Sequence, residues 1–269
     1  MVLHADKREA QKQWDTDPCG AVTAGEEQIG TLAFYRAVRT HRYEVHAPWM
    51  DSAMRFASAA GSRVLEIGVG LGSDHYRFAA AGCEMTALDL SREHLRHTQN
   101  HMALEGLTTR AVLGDAEQMP FADNSFDVVY SMGVLHHTPR TDRALAEVLR
   151  VLRPGGTALI GLYHRNSAFF WVETLLINGV LRGRLLTRGW RRLLSEIEYR
   201  SDPAAAAPLV KVYSRGQTAR LLAAFTVLQV ETHHIQAPTA RLERWLPRAM
   251  LERRCSRWGW YLVARARKG

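Results

Sequence analysis

Val64-Leu65-Glu66-Ile67-Gly68-Val69-Gly70-Leu71-Gly72 is a short run of β-formers that meets three glycines at every second position, and Ser73-Asp74 follow as a helix opening. Glycine lets a backbone turn sharply and come within contact distance of a ligand, which a side chain would prevent. A dinucleotide fingerprint of the form G-x-G-x-x-G would need its third glycine at position 73, which is Ser. The spacing is E-x-G-x-G-x-G: a strand running into a tight, ligand-approaching turn. The rest of the chain is organised around that turn.

Outward from it, β-rich and helical patterns alternate. Strands are predicted over 63–67, 84–89, 110–113, 126–131 and 157–163. Helices are predicted over 74–81, from an N-cap at Ser91 to about 105 before Gly106, and over 142–152, stopped by Arg153-Pro154-Gly155-Gly156. A helix over 217–225, a strand over 227–233 and a last strand near 260–267 complete the sheet. This alternation is the signature of an α/β fold, a doubly wound, Rossmann-like parallel sheet with helices on both faces.

The flanks read differently. Residues 1–30 look polar and irregular, with turn chemistry at Asp17-Pro18-Cys19-Gly20, and Trp14 ahead of the turn needs a docking place. Residues 31–60 read as helices, from Leu32, Tyr35, Val38 and Arg39 and then Met50, Met54 and Ala57 at helical spacing. They form either a cap closing over a cofactor or a layer packed beside the sheet. Between 165 and 213, Phe169, Phe170, Trp171, Leu185, Leu186, Trp190 and Leu193 interleave with Arg182, Arg184, Arg188, Arg191 and Arg192 in a basic amphipathic segment. A small-residue linker, 202–208, follows, and 238–258 forms a second basic insertion with Leu242, Trp245, Leu246 and Leu251. The expected division is an N-terminal helical cap (1–60), a core (61–164), a helical insertion or lid after strand five (165–214), and the end of the sheet with the basic insertion after strand six (215–269).

Composition narrows the class. The 269 residues, 46% hydrophobic and 23% charged, suit one α/β domain with extensions. The N-terminal stretch lacks the layout of a signal peptide, and no apolar run nears membrane-span length. Three widely spaced cysteines (Cys19, Cys83, Cys255) without a C-x-x-C pair point to reduced thiols and a cytoplasmic location, and no residue set has metal-ligand spacing, so no metal is expected. The net charge of +8 is uneven: residues 182–269 hold 18 Lys and Arg against 6 Asp and Glu, leaving 1–181 slightly acidic. The basic block suits nucleic acid, an anionic membrane face or an acidic substrate, or is a solvated arginine-rich surface, since 31 of the 35 basic residues are Arg.

In a doubly wound sheet the ligand crevice lies at the carboxyl ends of the strands, and each chemistry-bearing motif falls at such an end. Glu66 and the glycines end strand one. Asp89-Leu90 end strand two, where a carboxylate can accept hydrogen bonds from both hydroxyls of a ribose; the alternative, a helix cap, is better filled by Ser91. Gly114-Asp115-Ala116-Glu117 end strand three, where an Asp and a backbone N–H can read the amino group and ring nitrogen of an adenine. His136 and His137 follow strand four, and Tyr163 and His164 follow strand five. Each could take a proton from a hydroxyl, amine or thiol, or could instead orient a loop or sit satisfied in the core. His233-His234, Tyr43 and His46 are weaker candidates.

The set D-A-E-x-M-P-F-x-D-x-S-F-D-V-V-Y-S-x-G-V-L-H-H, beginning at Asp115, and L-R-V-L-R-P-G-G, beginning at Leu149, resembles the class I S-adenosylmethionine (SAM) methyltransferases, in particular the type 11 group that includes ubiquinone/menaquinone biosynthesis methyltransferases. The resemblance covers about residues 60–163. It implies a seven-stranded sheet whose last strand is antiparallel and SAM as cofactor, with S-adenosylhomocysteine as product. It also implies that Glu66, Gly68, Gly70 and Gly72 line the methionine end, that Asp89 and Leu90 hold the ribose and Asp115 and Ala116 the adenine, and that Ser131 to Val134, Met132 among them, lie beneath the sulfonium. The expected activity is methyl transfer to a small organic acceptor at O, N, S or C. The alternatives are an enzyme acting on RNA or protein, disfavoured because no RNA module is recognisable, an enzyme facing a membrane lipid or quinone, and a non-catalytic SAM-binding subunit. The acceptor and the oligomeric state, a homodimer among the options, stay open.

Overall fold

The computed structural model describes residues 4–198, 208–234 and 256–269. Seven strands form one sheet: β1 (Arg63–Ile67), β2 (Glu84–Asp89), β3 (Arg110–Leu113), β4 (Phe126–Met132), β5 (Leu152–Tyr163), β6 (Thr226–His233) and β7 (Tyr261–Arg267). Their order is β3-β2-β1-β4-β5-β7-β6. β1 to β5 pair in parallel, and β7 is antiparallel to both β5 and β6. This is the expected class I methyltransferase architecture.

Side chains alternate across a strand, and here neighbours divide between two cores. Leu65, Val129, Ile160 and Leu262 enter one apolar cluster, with Leu145 and Val148 from a flanking helix. Val64, Tyr130, Leu159 and Val263 enter the other, with Met54, Phe56 and Phe78. Both faces of the sheet are therefore covered, which is why its strands read as near-continuous apolar runs. The covering helices are α3 (Met50–Met54), α4 (Ser73–Ala80), α5 (Arg92–Leu104), α6 (Thr141–Val151) and, after the insertion, α8 (Arg215–Leu221), while α2 (Leu32–Thr40) packs on α4 and α5. Their starts are chemically marked. The side chain of Ser91 accepts from His94 N at 3.1 Å to cap α5, and Ser214 with Gln217 forms a reciprocal capping box on α8.

The N-terminal thirty residues depart from the expectation of an irregular stretch. Ala5–Thr16 is a helix, α1, followed by a 3₁₀ turn at Ala21–Ala24. Its inward face holds Lys7, Ala10 and Gln13. A helix that buries polar side chains against polar partners carries no apolar periodicity, so the usual signal was missing. Strand five also starts earlier than expected, at Leu152, because Leu152 pairs with Phe126 before a register shift at Phe126/Val128.

The insertion is helical, as the amphipathic pattern implied: a π-type helix (Phe169–Leu181) and α7 (Arg184–Ser195), the latter broken at Gly189 with φ 73°. The linker at 202–207 and the basic insertion at 238–255, with Cys255, lie outside the described residues.

Candidate active site

The strand order reverses between β1 and β4, and a crevice opens at their carboxyl ends. A cavity of about 440 Å³ occupies it. Its floor is the glycine turn. Gly68 has φ 79°, its N–H donates to Leu88 O at 2.8 Å, and a Cβ there would stand 2.1 Å from Val134 Cγ2. Gly70 and Gly72 also have positive φ, and Gly72 leads into α4. Only glycine holds this loop without strain.

Asp89 sits on the cavity wall and knits two loops together. Its Oδ2 accepts from Val69 N at 2.9 Å and from His94 Nδ1 at 3.2 Å, and its Oδ1 accepts from Ser91 N at 2.8 Å. Burial alone would raise its pKa, but His94 and these N–H donors outweigh burial and hold it below the usual carboxylate range. Ser91 is the helix cap and Asp89 is not, as the residue spacing implied. Asp115 accepts from Glu117 N at 2.9 Å, and Lys7 Nζ donates to Asp115 Oδ2 and Glu117 Oε2, each at 2.6 Å.

Glu66 is fully enclosed and pairs with His75 Nδ1 at 2.9 Å, while His75 Nε2 meets Thr109 Oγ1 at 2.7 Å. Burial pushes the Glu66 carboxyl well up and the His75 imidazole down to about 3, so the pair is held neutral. Beside it Asp74 gathers Arg42 Nε, Tyr43 Oη and Tyr130 Oη, each at 2.6 Å. Burial would raise the Asp74 pKa; the Arg42 charge and the donors overcome it and keep the carboxylate ionised.

The candidate residues divide. Glu66, Gly68, Gly70, Asp89, Leu90, Asp115, Ala116, Met132, His137 and Tyr163 line the one cavity. Gly72 and Ser131 do not. Gly72 packs on Thr98 and His101, and Ser131 is buried in the sheet with its hydroxyl donating to Ile67 O at 3.1 Å, so it does not lie beneath a ligand. His164 is also turned away, its Nδ1 2.9 Å from Gly259 O, which makes it a strand-end tie and not an acid–base candidate in the cavity. His136 is fully buried under the wall, its ring 3.8 Å from that of Tyr163. His233 stacks on Trp49 at 4.5 Å, and His234 faces His46 at 4.9 Å; Trp49 and His46 line the cavity.

Other wall residues, Trp14 apart, carry no motif in the sequence. Lys7, Ala10 and Trp14 of α1 line the cavity, where Gln11 Nε2 donates to Leu90 O at 3.0 Å and Ser91 Oγ donates to Asp15. Trp14 finds its dock between the rings of His94 (6.2 Å) and His137 (5.8 Å). Arg42 and Glu198 complete the wall. Tyr163 Oη donates to Glu198 Oε1 at 2.7 Å, and His137 Nε2 lies 3.5 Å from that oxygen. No spacing rule points to Glu198, a lone inward acid among arginines. Arg191 of α7 pairs with Asp6 of α1, joining the insertion to the N-terminal helix.

The sheet order, the antiparallel last strand and the glycine turn at the switch point define a class I methyltransferase fold. Residues 65–160 match the family described as "Methyltransferase domain". It is 44% identical over 102 residues to phthiotriol/phenolphthiotriol dimycocerosates methyltransferase 1 of Mycobacterium ulcerans, covering 37% of each chain. It is 37% identical over 121 residues to the ubiquinone/menaquinone biosynthesis C-methyltransferase UbiE of Dinoroseobacter shibae, covering 43% of this chain and 48% of that one. The chain thus spans less than half the length of these curated relatives. The solved magnesium protoporphyrin IX methyltransferase of Synechocystis, with bound SAM, superposes with a TM-score of 0.59 at 12% identity over the full length of both chains, a likeness of fold. Among the described residues no helix is long and apolar enough to cross a membrane.

Proposed function

We propose that the chain is a SAM-dependent methyltransferase that binds SAM in the 440 Å³ cavity and passes its methyl group to a small organic acceptor. The observation that carries this reading is the side-chain-free turn at Gly68, which no residue with a Cβ could occupy, tied through Val69 N to the Asp89 carboxylate on the wall of the same cavity. Bound there, SAM supplies a methyl group already activated on a sulfonium, so the protein's part is orientation and exclusion of water. Asp89 holds lone pairs toward a ribose, Asp115 and Ala116 border the adenine side, and Glu66, Gly68, Gly70 and Met132 border the methionine side. Where the acceptor carries a proton, His137 is the cavity-lining base, with Tyr163 and Glu198 beside it. The matched relatives are named for small-molecule acceptors, which supports that class over RNA or protein. Free thiols at Cys19 and Cys83 fit a reducing, cytoplasmic setting.

Calorimetric titration tests the cofactor assignment. Asp89→Ala removes a charged acceptor worth about 3 kcal/mol across two hydroxyls, more than a hundredfold in Kd. Unchanged SAM affinity in a folded variant would sink the assignment. Incubation with methyl-labelled SAM and a host extract, split into small molecules and macromolecules, tests the acceptor class.

A second reading concerns where the acceptor is met. Trp171, Leu176, Val180, Leu181, Leu186 and Trp190 are exposed on the insertion, Leu186 at 93%, among the arginines of α7. Such a face suits an anionic membrane presenting an apolar acceptor. Co-flotation with anionic liposomes supports this reading, and its absence removes it.

A further inference from the structure

His136, His137 and Glu198 each present a donor atom, and the three atoms lie within 4.8 Å of one another. Sequence spacing hides this set, since Glu198 comes from the insertion after β5. His136 is fully buried, and neither of its ring nitrogens has a hydrogen-bond partner. A buried polar atom left so costs about 1–3 kcal/mol unless something fills its valence. His137 Nδ1 lies 2.7 Å from the Leu209 carbonyl, which can only accept, so Nδ1 carries the proton. In the neutral ring the lone pair of Nε2 then faces Glu198 Oε1, 3.5 Å away. Positive charge closes that gap in one of two ways, a second proton on the imidazole or a cation shared by the two atoms, and only the cation also engages an unpartnered nitrogen of His136. Lys211 does not fill it, because its ammonium donates to Pro139 O at 2.7 Å and to Thr141 Oγ1 at 3.2 Å.

We propose that His136, His137 and Glu198 hold a first-row divalent cation, with a coordination position open to the cavity for an oxygen of the acceptor. Two imidazoles and one carboxylate are a donor set for such ions when further positions stay free. The surroundings resemble outer-shell support: the Leu209 carbonyl orients His137, and the Tyr163 hydroxyl orients the carboxylate. Ligand bonds of about 2.0–2.2 Å place donors about 3–3.5 Å apart. The His137–Glu198 pair already has that spacing, and the remaining donors close by about 1 Å through side-chain torsions. A cation here would fix an acceptor oxygen and lower the pKa of a hydroxyl, whose proton leaves to water. In that state His137 is a ligand and not the base. The role toward the acceptor rests on the methyltransferase reading; the cation site itself does not.

Tag-free protein stripped with a chelator and titrated with Co²⁺ gives the test, read by visible d–d bands and by metal-to-protein ratio. The expected result is a single bound ion whose affinity falls about tenfold to a hundredfold or more in Glu198→Gln and in His137→Asn, each checked for fold by circular dichroism. Glu9→Gln, an exposed acid on α1, leaves binding unchanged. Absence of Co²⁺ binding to the wild type, or equal binding to Glu198→Gln, overturns the proposal. SAM titrated into the same stripped protein separates the two readings. Normal SAM affinity without Co²⁺ binding rejects only the cation site, while Co²⁺ binding without SAM affinity supports the site and rejects the methyltransferase.

Discussion

Lowering the pH from about 8 to about 5.5 should cost this fold a large part of its stability, because it buries histidines as neutral rings. Burial pushes His75 down to about 3, where the nearby His101 also opposes its charge. Burial pushes His101 to about 4, against the help of the Leu71 carbonyl and with Arg39 opposing the charge. His46 and His234 face each other at 4.9 Å, and burial takes each to about 4. Each ring has an ordinary value of 6.5 and a lower one in the fold, so the unfolded chain takes up the proton first. Stability is therefore full above about pH 7 and is lost as pH falls through 6.5 toward 4.

At about pH 5.5, one unit below the unfolded value, each ring costs about 1.4 kcal/mol. Counting His75 and His101 in full and the partly exposed His46 and His234 at half gives about 4 kcal/mol, against about 5–15 kcal/mol for a typical domain. Glu66 runs the other way: its raised carboxyl gains stability with every pH unit of acidification, so the about 4 kcal/mol is the histidine contribution taken alone. Asp74 and Asp89, held low, matter only below about pH 4. In a Glu66→Gln background, urea denaturation read by tryptophan fluorescence should show the midpoint falling by roughly 1–2 M between these pH values, at a slope of about 2–3 kcal/mol/M. His101→Gln keeps a donor for Leu71 O and cannot titrate, so it should recover about a third of the loss. A midpoint that stays flat, or a His101→Gln variant as acid-sensitive as the wild type, refutes the reasoning.

Three further outcomes follow from the geometry. Gly68→Ala forces a left-handed residue and a Cβ 2.1 Å from Val134, so it should lose about 3–5 kcal/mol by denaturant melt and all SAM affinity; the Val134→Ala double variant should recover stability by about half. Lys7→Met strips the shared cation from Asp115 and Glu117 and should cost about 3–5 kcal/mol by denaturant melt. His164→Ala should lower the melting temperature by a few degrees through the lost Gly259 tie while leaving methyl transfer at the wild-type rate, whereas His137→Gln should slow transfer to a protic acceptor.

How much of this was legible depends on what each residue packs against. The strands and the glycine turn could be read because apolar residues on both faces of a parallel sheet leave long β-branched runs, and because Gly68, Gly70 and Gly72 sit where a Cβ fails or positive φ is needed. That Asp89 and Asp115 line one cavity could be read from their places at the ends of strands two and three, since strand ends at a switch point converge whatever lies between them. Helix α1 could not, because its buried face is Lys7, Ala10 and Gln13, and it docks through ion pairs and hydrogen bonds that carry no period. Ser131 misled for the opposite reason: it lies in a matching motif, but the strand's alternation sends its side chain into the sheet toward Ile67 while Met132 faces the cavity.

Glu198 marks the deepest gap between sequence and site. In the sequence it is one of two acids in an arginine-rich segment, and its neighbour Glu196 is an ordinary ion-pair partner of Arg184 and Arg188. Only the docking of the insertion over β5 turns Glu198 inward to Tyr163 and His137. The side of the cavity with Glu66, Asp89 and Asp115 is built from short-range motifs at strand ends, while the side with His137 and Tyr163 is completed by Glu198, 35 residues beyond Tyr163. On the proposed function the insertion carries acceptor identity, so exchanging 165–198 with the matching segment of a related methyltransferase should move acceptor preference while leaving SAM affinity within about threefold; the reverse outcome would place specificity in the shared core.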